Sequence, residues 1–345
     1  MSNHRPVGSP DSREPEWGNT HFKPARKLAL AATALVYLAG AAAIYALLDE
    51  ETLRSALSLP LSLVAALLAL SLINYAVRAW RWGVLGDHLG FGVPTARNTL
   101  YYLAGFSLTS TPGKAGEAVR LWFLKSGHGI PYTRSLPLML ADRIIDMWAV
   151  LILGLVAIAG FAEYQWQGAA LALLIAGVSL PILFPRRFEP VLDAVHSLAP
   201  RHGQLVDRVR RVMKSMADLS SWRTYGVTLI PTVVGWLAEC AALFLLLKHF
   251  DADVTLLNAV FIFSFSIIVG AISMLPGGLG STEATIVILL KALGVDLGIA
   301  LAATAIIRIT TFWFAVAIGV LLMPVAMNAA ARSARIPTAK SLGNT

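Results

Sequence analysis

Apolar residues run along this chain in blocks too long for the core helix of a soluble domain. Six of them, at about 28–48, 60–80, 136–160, 167–184, 225–248 and 298–324, come near the ~20 apolar residues that a helix needs to cross a bilayer. Two further apolar regions, 97–124 and 256–293, are interrupted in the middle. The interruptions read "STPGKAGEAVR" from Ser110 to Arg120 and "MLPGGLGSTEA" from Met274 to Ala284, each a Pro-Gly step, more glycine, and then an acid. The arms of the first broken region are too short to cross, which predicts a re-entrant helical hairpin. In the second region Leu256–Leu275 could just cross alone, whereas Ser281–Leu293 could not easily do so, and both arrangements stay open. The predicted fold is an all-α polytopic membrane protein with about six full spans and two re-entrant hairpins; the alternative is eight full spans.

Composition agrees. Of 345 residues, 57% are hydrophobic and 14% charged, well below the roughly 25% charged residues of soluble domains. The formal net charge of +8 is not gathered on a soluble domain, so it reads as a topology signal rather than a nucleic-acid site. With a cytoplasmic N-terminus and two hairpins that return to their own side, the basic residues fall inside: Arg78, Arg81, Arg97, Arg120, Lys125 and Arg134 flank the first hairpin, Arg186 to Arg223 fill the segment 185–224, and Arg332, Arg335 and Lys340 follow the last span. Residues 1–26 read as a disordered cytoplasmic leader, 27–325 as the membrane domain with a basic cytoplasmic insert at 185–224, and 326–345 as a cytoplasmic tail. The first apolar run reads as an uncleaved signal anchor in a bacterial-type cytoplasmic (inner) membrane. Within 187–222, Leu205, Val209, Val212, Met213, Met216 and Leu219 form one helical stripe beside Arg208, Arg210, Arg211 and Lys214. That is either an amphipathic helix on the anionic inner leaflet or a solvated connector. The single cysteine, Cys240, reads as a small buried apolar residue.

The chain also repeats itself. Shifted by 165, "RIIDMWAVLILG" (Arg143–Gly154) lies on "RITTFWFAVAIG" (Arg308–Gly319), matching Arg143 with Arg308, Trp148 with Trp313 and Gly154 with Gly319. Shifted by 164, Pro112-Gly113 meets Pro276-Gly277. Each half, about 60–160 and about 225–324, then reads span, broken hairpin, span. The predicted topology makes the two units inverted, a recurring transporter design. The copies differ in their acids: Ile307 and Thr311 stand where the first unit has Asp142 and Asp146.

Proline and glycine end a helix and free backbone N–H and C=O groups, tolerated at membrane depth only beside protein or a polar cavity. A new helix starts near Gly116 after the first break and near Ser281 after the second, with Gly278 and Gly280 in the turn and Ser281 and Thr282 as candidate N-caps. Such starts favour an anion. Lys114, Arg120, Arg143 and Arg308 add positive charge, so a phosphate-bearing head group is the matched ligand. Glu117, Asp146, Glu239 and Glu283 either line the same polar path or serve as ion-pair partners, Glu117 with Arg120, Asp146 with Arg143, Glu283 with Arg308, while Glu239 has no local partner. "PGKAGE" lacks the spacing of a phosphate-binding P-loop. No metal spacing and no cofactor motif is visible; His128 reads as a loop residue, and Trp80, Trp82, Trp122, Trp148 and Trp313 as interfacial anchors.

At these residues the sequence resembles a known family. "TPGKAGEAVRLWFLK", "ADRIIDMWAVLILG" and "PGGLGSTEATIVILLKALGV" look like signature stretches of the lysylphosphatidylglycerol synthase transmembrane region, also described as flippase-like integral membrane proteins. The resemblance covers about 30–325. It maps onto Pro112, Gly113, Gly116, Glu117 and Arg120, onto Arg143 and Asp146, and onto Pro276, Gly277, Gly278, Gly280 and Glu283. In two-domain members a soluble aminoacyl-transfer domain follows the membrane part; the chain here runs only about twenty residues past the last span, so the resemblance implies the lipid-translocating part without the synthase activity. Stand-alone members are associated with hopanoid or glycolipid gene sets, which leaves the lipid open. A lipid translocator is the leading expectation; a membrane-embedded lipid transferase with Glu117 or Asp146 as general base, and a scaffold for partner enzymes, are the alternatives.

Overall fold

The computed structural model describes residues 58–109, 115–158, 165–198, 216–219 and 221–334, with Glu50, Arg54, Arg210 and Lys214 beside them. The leader 1–26, the expected first span at 28–48, Pro112, Gly113, Lys114, most of the stripe 205–213 and the tail beyond Ala334 lie outside the described residues. What is described is helical, and no strand occurs in it. The protein is an all-α membrane protein. Leu61–His88, Trp222–His249 and Leu297–Ala334 are long and apolar enough to cross a bilayer.

The first unit opens with α1 (Leu61–His88), continues with α2 (Thr95–Ala104) and a 3-10 turn (Gly105–Leu108), and resumes after the break with α3 (Ala115–His128) and α4 (Tyr132–Ala157). The next two helices are α5 (Gln165–Leu183) and α6 (Pro185–Leu198). The second unit is α7 (Trp222–His249), α8 (Leu256–Ile272), a turn at Pro276–Gly278, α9 (Ser281–Ala292), α10 (Leu297–Arg308), a π-helical turn (Ile309–Trp313) and α11 (Phe314–Ala334). The α8 arm is therefore shorter than the sequence suggested. Its 17 residues span about 25 Å and the 12 of α9 about 18 Å, against a hydrocarbon core of about 30 Å. The chain turns left-handed just after α8, at Met274 with φ 57°, and glycine serves the turn that follows: Gly277, Gly278 and Gly280 all have φ between 61° and 80°.

α1 and α7 each have 28 residues, and a shift of 161 places one on the other. The two pack together, and a Cβ added at Gly235 would lie 3.4 Å from Cα of Asn74, its own counterpart at that shift. The final spans are exchanged. The end of α4 (Ala149 to Ala157) is buried with α7, α8, α9 and α10 in one apolar cluster. Ala315, Ala326 and Ala330 of the last span are buried with α1, α2 and α3 in the other. Glycine marks each crossing: Gly154 faces Ser264 of α8, and Gly319 lies against the backbone of Phe106 and Ser107.

One expectation needs correcting. Trp82 is fully buried beside Tyr102, with ring centroids 5.7 Å apart, and is no interfacial anchor. Met216 and Leu219, the described end of the apolar stripe, are wholly buried against the helices of the first unit.

Candidate functional site

The first unit carries its charges in the helix interiors. Arg81 of α1 is completely buried and acts as a hub. Its Nε donates to Oδ1 of Asp142 at 2.9 Å, its Nη2 to the Asp142 carbonyl at 3.1 Å, and its Nη1 to Oδ1 of Asp146 at 2.9 Å and Oγ1 of Thr232 at 3.0 Å. A guanidinium suits this role because its planar donors engage several oxygens at once. Around the hub stand three more arginines. Arg78 Nη2 lies 3.0 Å from Oδ2 of Asp146; Arg143 Nη2 lies 2.9 Å from Oδ2 of Asp142; Arg120 Nη1 reaches only to 3.9 Å of the same oxygen.

Arg120 is held chiefly by an aromatic face. Its guanidinium carbon sits 3.8 Å from the centre of the Tyr102 ring, and its Nε donates to the Tyr102 carbonyl at 3.2 Å. It passes where Gly105 has no side chain: a Cβ there would lie 2.4 Å from the Arg120 Nε. In the second unit Arg308 donates from Nε to Oε1 of Glu283 at 2.6 Å and from Nη2 to the Gly277 carbonyl at 3.1 Å, over the Phe312 ring. It thereby ties the last span to the break.

These groups surround one cavity of about 270 Å³. Arg78, Arg120, Arg143 and Arg308 line it, with Asp146 and Glu239 as the acids on its wall. Both breaks reach it, the first through Thr109 and the second through Leu275, Gly277 and Gly278. The remaining wall is largely apolar, with Phe106, Val150, Phe263 and Ile267 among its residues. Nε of Arg78 and Nη1 of Arg120 are buried donors without an acceptor among the described residues.

Of the residues singled out from sequence, Arg120, Arg143, Asp146, Glu239, Gly278 and Arg308 meet at this cavity. Gly280, Ser281 and Glu283 do not line it; Glu283 reaches it only through Arg308. Gly116 and Glu117 lie in the first turn of α3, and the surroundings of both fall outside the described structure, as Lys114 does altogether. The expected pairing of Glu283 with Arg308 is present, and Arg143 does approach Asp146, at 3.7 Å. The helix start at the second break differs from expectation. Gly280 is the N-cap, its N–H donates to Oε2 of Glu283 at 2.7 Å, and the Ser281 hydroxyl turns back to the Gly278 carbonyl. Glu283 itself thus supplies the negative charge that this helix start favours.

Sequence reasoning missed Arg78, Arg81 and Asp142 as site residues, because it read the two arginines as cytoplasmic flank charges. A helical wheel offered a signal: Arg78 and Arg81 stand three apart with Asn74 and Tyr75 one turn earlier, a polar face on an apolar span.

The model of the lysylphosphatidylglycerol synthase TM region family matches residues 27–319. The chain belongs to this family. Among similar proteins is a UPF0104 membrane protein of Methanothermobacter thermautotrophicus, 26% identical over 275 residues, which covers 74% of this chain and 81% of that protein. A second from the same organism is 24% identical over 281 residues, covering 74% and 82%. The UPF0104 membrane protein PH1989 of Pyrococcus horikoshii is 24% identical over 311 residues, covering 79% and 90%. The family match spans both units and both breaks, so the cavity lies wholly inside it.

Proposed function

We propose that this protein translocates lipids with anionic head groups, sheltering the head group in the arginine-lined cavity while the acyl chains stay in the bilayer. The observation that carries this reading is the cationic excess on one small cavity wall: four arginines against Asp146 and Glu239. Buried guanidinium donors without acceptors favour an anionic oxygen. The volume lies at the small end of ligand sites, fitting a head group and not a whole lipid.

The two units act as inverted repeats in this proposal, and their breaks as re-entrant hairpins meeting at the cavity. Contact between counterparts, as at Asn74 and Gly235, and the exchange of final spans are what a local two-fold relation produces. The arms about the second break, shorter than the hydrocarbon core, support re-entry. The proposed setting is a cytoplasmic membrane with cytoplasmic N- and C-termini, and with the segment 187–222 against the anionic inner leaflet.

The test is purified full-length protein in liposomes containing a fluorescent phosphatidylglycerol. Translocation is read as the fraction of probe reached by a membrane-impermeant quencher. Acceleration over protein-free liposomes, lost in Arg120→Gln and Arg308→Gln, is expected. No acceleration of this lipid or of other fluorescent phospholipids would overturn the proposal.

A further inference from the structure

Glu239 stands apart from every other acid at the site. It is 4% exposed, lies at the cavity wall in the middle of α7, and makes no hydrogen bond or ion pair among the described residues. The acids of the first unit are handled differently. Asp142 and Asp146 hold Arg81, and Asp146 also takes Arg78. The exchange of units explains why Glu239 is left over. Glu239 is the counterpart of Arg78 at the shift of 161, and the counterpart of Asp146 is Thr311. The first unit thus has a cation beside an anion where the second has an acid beside a threonine.

The charged and titratable groups that face Glu239 are few. From α1 come Arg78 and Tyr75, from α4 Asp146, and from the end of α10 Arg308. α8 contributes only uncharged residues to the cavity, and the neighbouring Cys240 turns to Ser264 instead. An ionised Glu239 is therefore sustained mainly by Arg78 and Arg308, at a distance beyond direct pairing. Those two guanidinium groups also line the space where an anion would sit. A second anion there competes for the same positive charge, and a buried carboxylate without compensating charge is costly. Neutralising it with a proton removes that cost.

We propose, resting on the anion-binding reading of the cavity, that Glu239 is a proton site linked to the anion. It is ionised in the empty cavity and takes one proton from water onto its carboxylate when an anionic head group enters. Head group and proton then occupy the protein together, and a proton gradient can drive the lipid.

The experiment uses the full-length protein in detergent, with dihexanoylphosphatidylglycerol as the probe, because its phosphodiester does not itself titrate near neutral pH. Binding is measured by calorimetry in two buffers of different ionisation enthalpy, which gives the protons taken up per lipid. The expected result is net uptake, with affinity rising as pH falls by up to about tenfold per unit. Glu239→Gln, which mimics the protonated side chain, should bind with no Glu239-linked uptake and a flatter pH profile. Infrared difference spectra of the wild type should gain a protonated-carboxyl band on binding, which does not depend on the variant folding. Binding without proton uptake overturns this inference and leaves the anion cavity standing. Uptake undiminished in Glu239→Gln also overturns it. Absence of any binding overturns the cavity reading and this inference with it.

Discussion

The Trp236 indole donates to the Asp146 carboxylate at 3.1 Å, in one half of a matched pair. In the other half the Tyr75 hydroxyl donates to the Thr311 carbonyl. Tyr75 and Trp236 lie 161 residues apart and Asp146 and Thr311 165, so under the proposed repeat relation the two bonds fall at equivalent places, one accepted by a side-chain carboxylate and the other by a backbone carbonyl. In both, the first helix of a unit grips the last span of the opposite side.

These two bonds should differ in what they contribute to stability. Tyr75→Phe removes a donor to a neutral carbonyl, expected to cost about 0.5–1.5 kcal/mol, whereas Trp236→Phe removes a donor to the Asp146 carboxylate, expected to cost about 1.5–3 kcal/mol with added repacking loss. Thermal unfolding of the detergent-purified variants measures this. An unchanged melting temperature in Tyr75→Phe would show that the grip on Thr311 carries no stability.

The counterparts Gly154 and Gly319 should respond very differently to alanine. A Cβ at Gly154 would meet Ser264 at 3.8 Å, ordinary van der Waals contact. At Gly319 it would fall 2.2 Å from the Ser107 backbone nitrogen and 2.8 Å from the Phe106 carbonyl carbon. Gly319→Ala should destabilise by about 1–3 kcal/mol or more, since backbone must move, whereas Gly154→Ala should stay within about 0.5 kcal/mol. Comparing their unfolding midpoints decides it.

Gly105→Ala tests the placement of Arg120. The added methyl would occupy the space of the Arg120 Nε and Cγ, 2.4 and 2.6 Å away. Gly105 has helical φ, −60°, so alanine brings no backbone strain of its own. The expected outcome is a displaced guanidinium: weaker binding of dihexanoylphosphatidylglycerol, by about tenfold for the loss of one charge-assisted contact, with helix content retained. Unchanged affinity would remove Arg120 from the head-group site.

Arg81 and Arg143 share acids yet should fail differently. Arg81→Gln removes the one guanidinium that joins Asp142 to Asp146 and leaves the wholly buried Asp142 with only Arg143 and the more distant Arg120, so about 3–5 kcal/mol of destabilisation and loss of folded protein are expected. Arg143→Gln leaves Asp142 and Asp146 with Arg81, and Asp146 also with Arg78, so the protein should remain folded while lipid transfer falls. Adding Asp146→Asn to Arg143→Gln should not restore transfer. Size-exclusion profiles and liposome transfer separate the outcomes; rescue by the double variant would make Arg143 a structural partner only.

Hydrophobic block length by itself determined the all-α membrane class, since a backbone in hydrocarbon must satisfy its own hydrogen bonds and long apolar runs do so as helices. The second Pro-Gly break was legible too: proline and positive-φ glycine do not continue a helix wherever it packs. The match of Arg143 with Arg308 and of Gly154 with Gly319 was visible too, as spacing survives in sequence. Which charges meet was decided by tertiary structure. Local spacing suggested Arg143 as the partner of Asp146, whereas Arg78 and Arg81, more than sixty residues earlier, reach it more closely. Long guanidinium side chains choose partners by the helix–helix packing that brings α1 against α4 and α7, with Gly235 letting α7 approach the Asn74 backbone of α1, while Gly105 makes room for the Arg120 side chain itself. A run of letters gives an arginine its position along one helix; the crossing of several helices gives it a neighbour, and in a low-dielectric interior the neighbour determines whether a charge is a hub, a ligand contact or a proton site.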